Sequence, residues 1–162
     1  LYPLGPWRSG SNERVEDGYL AWRVEQSDLE KTGAFSKIFE TGEVWGVDNA
    51  RLAGIKGGPA SIPGIIVPEA RNAIRSYAST LQGLGVSPPY RVQITLHDVR
   101  SAPLHVSSRG NDGICLKQCI HFHRFWDPGI DKNADDLCNE FAKQLWDECG
   151  LVLSYRIQFQ DA

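Results

Sequence analysis

From Tyr90 to His97 the chain alternates without a break. Tyr90, Val92, Ile94 and Leu96 are apolar, and Arg91, Gln93, Thr95 and His97 are polar. Successive side chains of a strand point to opposite faces. The segment therefore reads as a half-buried strand, with one side on a core and the other in water.

Two amphipathic stretches supply the cover for such a sheet. Ala70, Ile74, Tyr77, Leu81 and Leu84 recur at helical spacing. Pro68 suits the first turn, Glu69 the positive end of the dipole, and Gly85 with Pro88-Pro89 the stop. Further on, Ala134, Leu137, Phe141 and Leu145 form a second stripe, flanked by Cys138 and Cys149. Asn133 is placed to cap this helix, Asp135 and Asp136 lie in its first turn, and Gly150 closes it.

Strand patterns fill the rest. Leu20, Trp22 and Val24 alternate with polar neighbours. Residues 35–39 and 44–47 flank Thr41-Gly42, a hairpin signal. Residues 54–64 hold four glycines and two prolines and read as an irregular loop. Residues 114–125 read as a strand with Ile114, Leu116, Ile120 and Phe122 on one face. Cys115, Lys117, Cys119, His121, His123 and Phe125 fall on the other. Asp127-Pro128-Gly129 is a turn, and residues 151–159 alternate as a closing strand.

From residue 43 the order is strand, helix, strand, strand, helix, strand. This predicts an α+β fold of ferredoxin-like βαββαβ type, a four-stranded, mainly antiparallel sheet with two helices on one face. An N-terminal β extension precedes it. Residues 1–18 read as a linker or extended arm, and 19–162 as a single α+β domain with its core at 43–160. A chain of 162 residues is long enough to bury a core without staples.

Net charge of −3 argues against a generic nucleic-acid binder, which carries a basic excess. No apolar run approaches the length of a membrane span, so no membrane partner is expected. The first residues, from Leu1 to Trp7, lack the basic start and apolar stretch of a signal peptide. The chain contains no methionine, which points to a domain of a longer protein or a processed chain.

Cys115 and Cys119 lie about 13 Å apart at strand rise, and Cys138 and Cys149 about 16 Å apart along a helix. Neither pair can bond. With the helix on the opposite side of the sheet from Cys115, cross-pairing is awkward too. Four free thiols and a reducing, cytoplasmic setting are expected.

Cys119, His121 and His123 are the candidate metal ligands, since thiolate and imidazole suit zinc. His97 is the obvious fourth, but a near-symmetric hairpin places it opposite Lys117, about 10 Å or more from His121. The plainer alternative is a polar sheet face with no metal and no other cofactor. The same face is a candidate binding surface, formed by Arg91, His97, Lys117, His121, His123 and Phe125, with Gln93 and Arg156 nearby. Basic groups beside an aromatic on an open sheet have the layout of RNA-recognition-type domains, without their glycine–aromatic signature. No Gly-x-Ser-x-Gly elbow or P-loop lysine is present, so no catalytic residue is assigned. Trp45 reads as core, and Trp126 is left open between core and pocket.

The stretch Leu81-Gln82-Gly83-Leu84-Gly85-Val86-Ser87-Pro88-Pro89-Tyr90-Arg91-Val92, running on through Leu96-His97-Asp98-Val99, resembles a C-terminal segment of a bacterial family. Its members are assigned to DNA binding and carry an Alba-like, Schlafen-like N-terminal domain. Phe39-Glu40-Thr41-Gly42-Glu43-Val44-Trp45-Gly46-Val47-Asp48 is similar to the hairpin that precedes it there. The resemblance implies an accessory or sensing domain, partnered by other domains of a longer chain. Nucleic-acid or nucleotide chemistry in that family is attributed to the N-terminal domain, and no functional residue carries over. The expected functions are thus ligand or protein-partner binding, nucleic-acid binding, or a zinc-dependent site.

Overall fold

The computed structural model describes residues 11–25, 28–48, 62–105, 112–129 and 134–151. They form an α+β structure with two helices and a four-stranded antiparallel sheet. The chain divides into two compact units. Residues 1–50 and 72–87 make the first, and 51–71 and 88–162 the second.

The first unit is built on the four-stranded sheet. Strands β1 (Ser11–Val15), β2 (Gly18–Glu25), β3 (Asp28–Phe39) and β4 (Val44–Asp48) run as an antiparallel meander in chain order. Strand β1 lies inside the stretch read as an arm. The hairpin of β3 and β4 is the one signalled by Thr41-Gly42, and Gly42 turns it with a φ of 85°. Cross-strand register sets Ala21, Ser36 and Gly46 side by side. Ala21 and Ser36 are buried on this face.

Helix α1 (Ile66–Gly83) spans the predicted stripe, and its residues from Asn72 onward belong to the first unit. Tyr77 meets the sheet there, its hydroxyl 2.5 Å from Ser36 Oγ. Gly85, at φ 82°, ends the helix: Val86 N–H reaches back to the Leu81 carbonyl at 2.9 Å. Only glycine enters that left-handed conformation without a Cβ penalty.

In the second unit, β6 (Tyr90–Leu96) pairs antiparallel with β9 (Ile120–Trp126), from Tyr90 opposite Trp126 to Leu96 opposite Ile120. A smaller sheet joins β5 (Ile62–Pro63), β7 (Pro103–His105) and β8 (Asp112–Ile114) in the order β5-β7-β8. Helix α2 (Ala134–Glu148) buries Ala134, Leu137, Cys138, Phe141, Ala142, Leu145 and Trp146, an apolar band more than one residue wide. The rings of Phe122 and Phe141 sit 5.6 Å apart where α2 meets β9. Arg71, buried at the start of α1, forms an ion pair with Asp135 of α2. Gly150 ends α2 as Gly85 ends α1, with Leu151 N–H bonded to the Trp146 carbonyl.

The ferredoxin-like order is not confirmed among the described residues. Its expected members are split: β4 hydrogen-bonds β3, while β6 and β9 pair only with each other among the described residues. A short turn brings β3 and β4 together at small loop-closure cost, whereas the ferredoxin-like order sets β4 beside β9, across more than 70 intervening residues. The predicted closing strand at 151–159, Arg156, Asn133 and most of the 54–64 loop lie outside the described residues.

Two readings of single residues are corrected. Trp45 is 56% exposed, not core, whereas Trp126 is buried. Cys115 and Cys149 are not on opposite sides of a sheet: both are buried and their sulfurs are 2.8 Å apart.

Burial holds the Tyr77 phenol above its ordinary pKa, opposed by its bond to Ser36. The neutral phenol thus favours the fold fully below pH of about 10, and that contribution is lost as pH rises further. Tyr77→Phe is expected to cost about 1 kcal/mol at pH 8. Urea unfolding of both proteins from pH 8 to 11 should show the difference narrowing toward high pH.

Candidate functional site

The β6–β9 register fixes what each face carries. Arg91 stands opposite Phe125, Gln93 opposite His123, and Thr95 opposite His121. On this side Arg91, Gln93, His121, His123 and Phe125 are all exposed, Phe125 by 72%. The other side holds Tyr90, Leu96, Ile120, Phe122 and Trp126, all buried. Arg124, on that inner side, reaches the edge of α2, where its Nε lies 2.7 Å from Glu140 Oε2.

One step beyond the ladder, exposed His97 meets half-buried Cys119, with Sγ 3.4 Å from Nδ1. The His97 and His121 rings pack edge-on at 6.0 Å, and His121 Nδ1 lies 3.3 Å from Thr95 Oγ1. The expected separation of His97 from His121 is thus corrected. His97 faces Cys119 and not the region of Lys117.

This follows from the β6–β9 register, which continues one pair past Leu96 and Ile120; beyond it the connection between the two ladders is unequal. Leu96 pairs with Ile120, and Pro103 with Ile114, so residues 97–102 face only 115–119. The extra residue is a bulge, taken up by Asp98 and Ser101 at φ 56° and 65°. It is held by Val99 N–H to the Gln118 carbonyl at 3.1 Å and by Gln118 Nε2 to Asp98 Oδ1 at 2.5 Å. Ser101 N–H donates to the Cys115 carbonyl at 2.8 Å, and Cys115 N–H to the Ala102 carbonyl at 3.0 Å.

Residues 114–125 are consequently two strands with a bend, not one. Cys115 is buried, and Ile114 and Leu116 are 57% and 71% exposed, the reverse of the predicted faces. Lys117 falls outside the ladder, and its ammonium lies 2.8 Å from Glu148 Oε1.

The structure therefore brings Arg91, His97, His121, His123 and Phe125 onto one open face and leaves Lys117 off it. Among the ladder residues of that face there is no carboxylate, so it suits an anion better than a cation. Cys119, His121 and His123 share a side of one strand. Even so, among the described residues no group of three or more His, Cys, Asp and Glu side chains is placed to hold a metal ion. The close donor pair is Cys119 with His97.

Sequence reasoning missed a half-buried aromatic face on the first unit, with Trp45 and Val47 exposed on it. Register aligns Trp22, Phe35 and Val47, then Leu20, Lys37 and Trp45. The Phe39 and Trp45 rings pack edge-on at 5.5 Å, with the Lys37 ammonium 4.4 Å from the Phe39 centroid. The alternation Phe35, Lys37, Phe39 was the available signal.

No protein-family model, curated protein or solved structure matches this chain.

The two faces of β9 should respond in opposite ways to truncation. Phe125→Ala removes an exposed ring and should change unfolding free energy by no more than about 0.5 kcal/mol. Phe122→Ala, at 1% exposure, should cost about 3–5 kcal/mol. Urea denaturation of the two variants checks both values, and equal costs contradict the assignment of faces.

Proposed function

We propose that this chain is a non-enzymatic accessory or sensing module of a larger cytoplasmic protein, and that it binds an anionic ligand on the open face of β6 and β9. The observation that carries this is the composition of the face. Arg91 stands opposite an exposed phenylalanine, and His123, His121 and His97 follow it along the same face over about 20 Å, with no carboxylate among them. A partner with phosphate or carboxylate groups would meet donors there, and Arg91 can hold such a group through two N–H bonds.

Nucleic acid is the second reading, favoured by one specific pair. Arg91 and Phe125 are direct cross-strand neighbours, so one could contact a phosphate while the other stacks on an adjacent base. A small polyanion would use the arginine with the neighbouring His123 and ignore the ring.

Fluorescence anisotropy with a short labelled single-stranded oligonucleotide, competed by inorganic tripolyphosphate, separates these cases. Binding is expected at low salt and should weaken as salt rises. Arg91→Ala should weaken it by about tenfold or more for either ligand. For nucleic acid, Phe125→Ala should cost a similar factor; for a small polyanion it should cost nothing. Absence of binding to both probes at low salt overturns the anionic-ligand reading, as does binding untouched by Arg91→Ala.

A further inference from the structure

Within the second unit the segment after β8 is stitched to the end of α2 at several points. Leu116 N–H donates to the Glu148 carbonyl at 3.3 Å, and Lys117 Nζ reaches Glu148 Oε1 at 2.8 Å. Gly113 lies so close beneath that a Cβ there would come within 2.5 Å of the Cys149 carbonyl oxygen and 2.6 Å of the Leu151 side chain. Only glycine permits this approach. At its centre are Cys115 and Cys149, each 1% exposed, with sulfurs 2.8 Å apart.

Both thiols are held from the backbone. Cys115 exchanges hydrogen bonds with Ser101 and Ala102, and Cys149 N–H bonds the Leu145 and Trp146 carbonyls. A disulfide bond is about 2.05 Å long, so the sulfurs need approach by less than about 1 Å. The other two cysteines are placed differently. Cys119 lies against His97, and Cys138 is buried in the apolar band of α2.

We propose that Cys115 and Cys149 are a redox-active dithiol that closes to an intramolecular disulfide on oxidation by a low-molecular-weight disulfide such as oxidised glutathione, stapling the β8 segment to α2. One cysteine thiolate attacks a sulfur of the oxidant, forms a mixed disulfide and expels one glutathione thiolate. The second protein thiol loses its proton to solvent and attacks the protein sulfur of the mixed disulfide. The second glutathione leaves as thiolate. Two protein thiols are oxidised by two electrons, and one oxidant molecule is reduced to two thiols.

In the closed fold neither sulfur is open to an oxidant, so reaction waits on local opening. Burial, followed by the adjoining Cys115 sulfur, pushes the Cys149 thiol up, which slows attack further at neutral pH. Oxidation is therefore slow and runs through the locally opened state, so brief exposure to oxidant leaves the pair reduced.

The test treats the whole chain with oxidised glutathione at mildly alkaline pH and low urea, then alkylates free thiols and maps the peptides. The expected result is loss of two of the four alkylatable cysteines, a peptide crosslinked through Cys115 and Cys149, and full reversal by reductant. The closed form should melt about 10 °C higher than the reduced form. Cys149→Ser should abolish the crosslink and leave a glutathione adduct on Cys115. The wild-type peptide map decides the matter even if that variant does not fold. A dominant crosslink through Cys119 or Cys138, or glutathione adducts without a crosslink, overturns the proposal. So does survival of all four thiols under conditions that oxidise the urea-unfolded chain.

Discussion

The register between β6 and β9 decides the core and the open face together. Seven consecutive pairs run from Tyr90–Trp126 to Leu96–Ile120. They send Leu96, Ile120, Phe122 and Trp126 inward, and Arg91, His121, His123 and Phe125 outward. A slip of one residue exchanges the two sets. It would expose Phe122, whose burial against Phe141 contributes about 2–3 kcal/mol. It would also bury histidines without partners, which costs more. The candidate binding face is thus fixed by the packing of α2 on the other side of the strand.

Just beyond this ladder the extra residue in 97–102 changes the outcome for Cys115. His97 faces Cys119 by simple continuation of the β6–β9 register, and the extra residue beyond that pair lets Cys115 turn inward toward Cys149. Asp98 and Ser101 adopt backbone angles that L-residues rarely use. The bonds linking Val99, Ser101 and Ala102 to Gln118 and Cys115 offset that cost. The continued register thus gives the thiol–imidazole pair, and the irregularity beyond it accompanies the dithiol.

Both helices were legible because their cues agree. The apolar stripes have helical spacing, acidic residues sit in the first turns, and Gly85 and Gly150 provide the ends. Strands β6 and β9 and the β3–β4 hairpin were legible from alternation and turn chemistry. Their grouping into sheets was not, because alternation says which face a strand buries and nothing about its neighbour. The bulge was invisible as well. Residues 114–125 keep an apolar–polar rhythm across it, so Cys115 and Cys119 read as one face when the backbone sends them apart. Trp45 failed for a simpler reason: hydrophobicity cannot tell an exposed sheet face from a buried one.

The register is most directly tested by solution NMR of the isotopically labelled chain. In an antiparallel ladder, alternate opposed residues bring their α-protons close together. Cross-strand α-proton contacts are expected at alternate positions of the series Tyr90–Trp126 to Leu96–Ile120, with Phe125 showing contacts to Arg91 and none to α2. A ladder displaced by one residue, with the Phe125 ring packed against Phe141, would contradict the account.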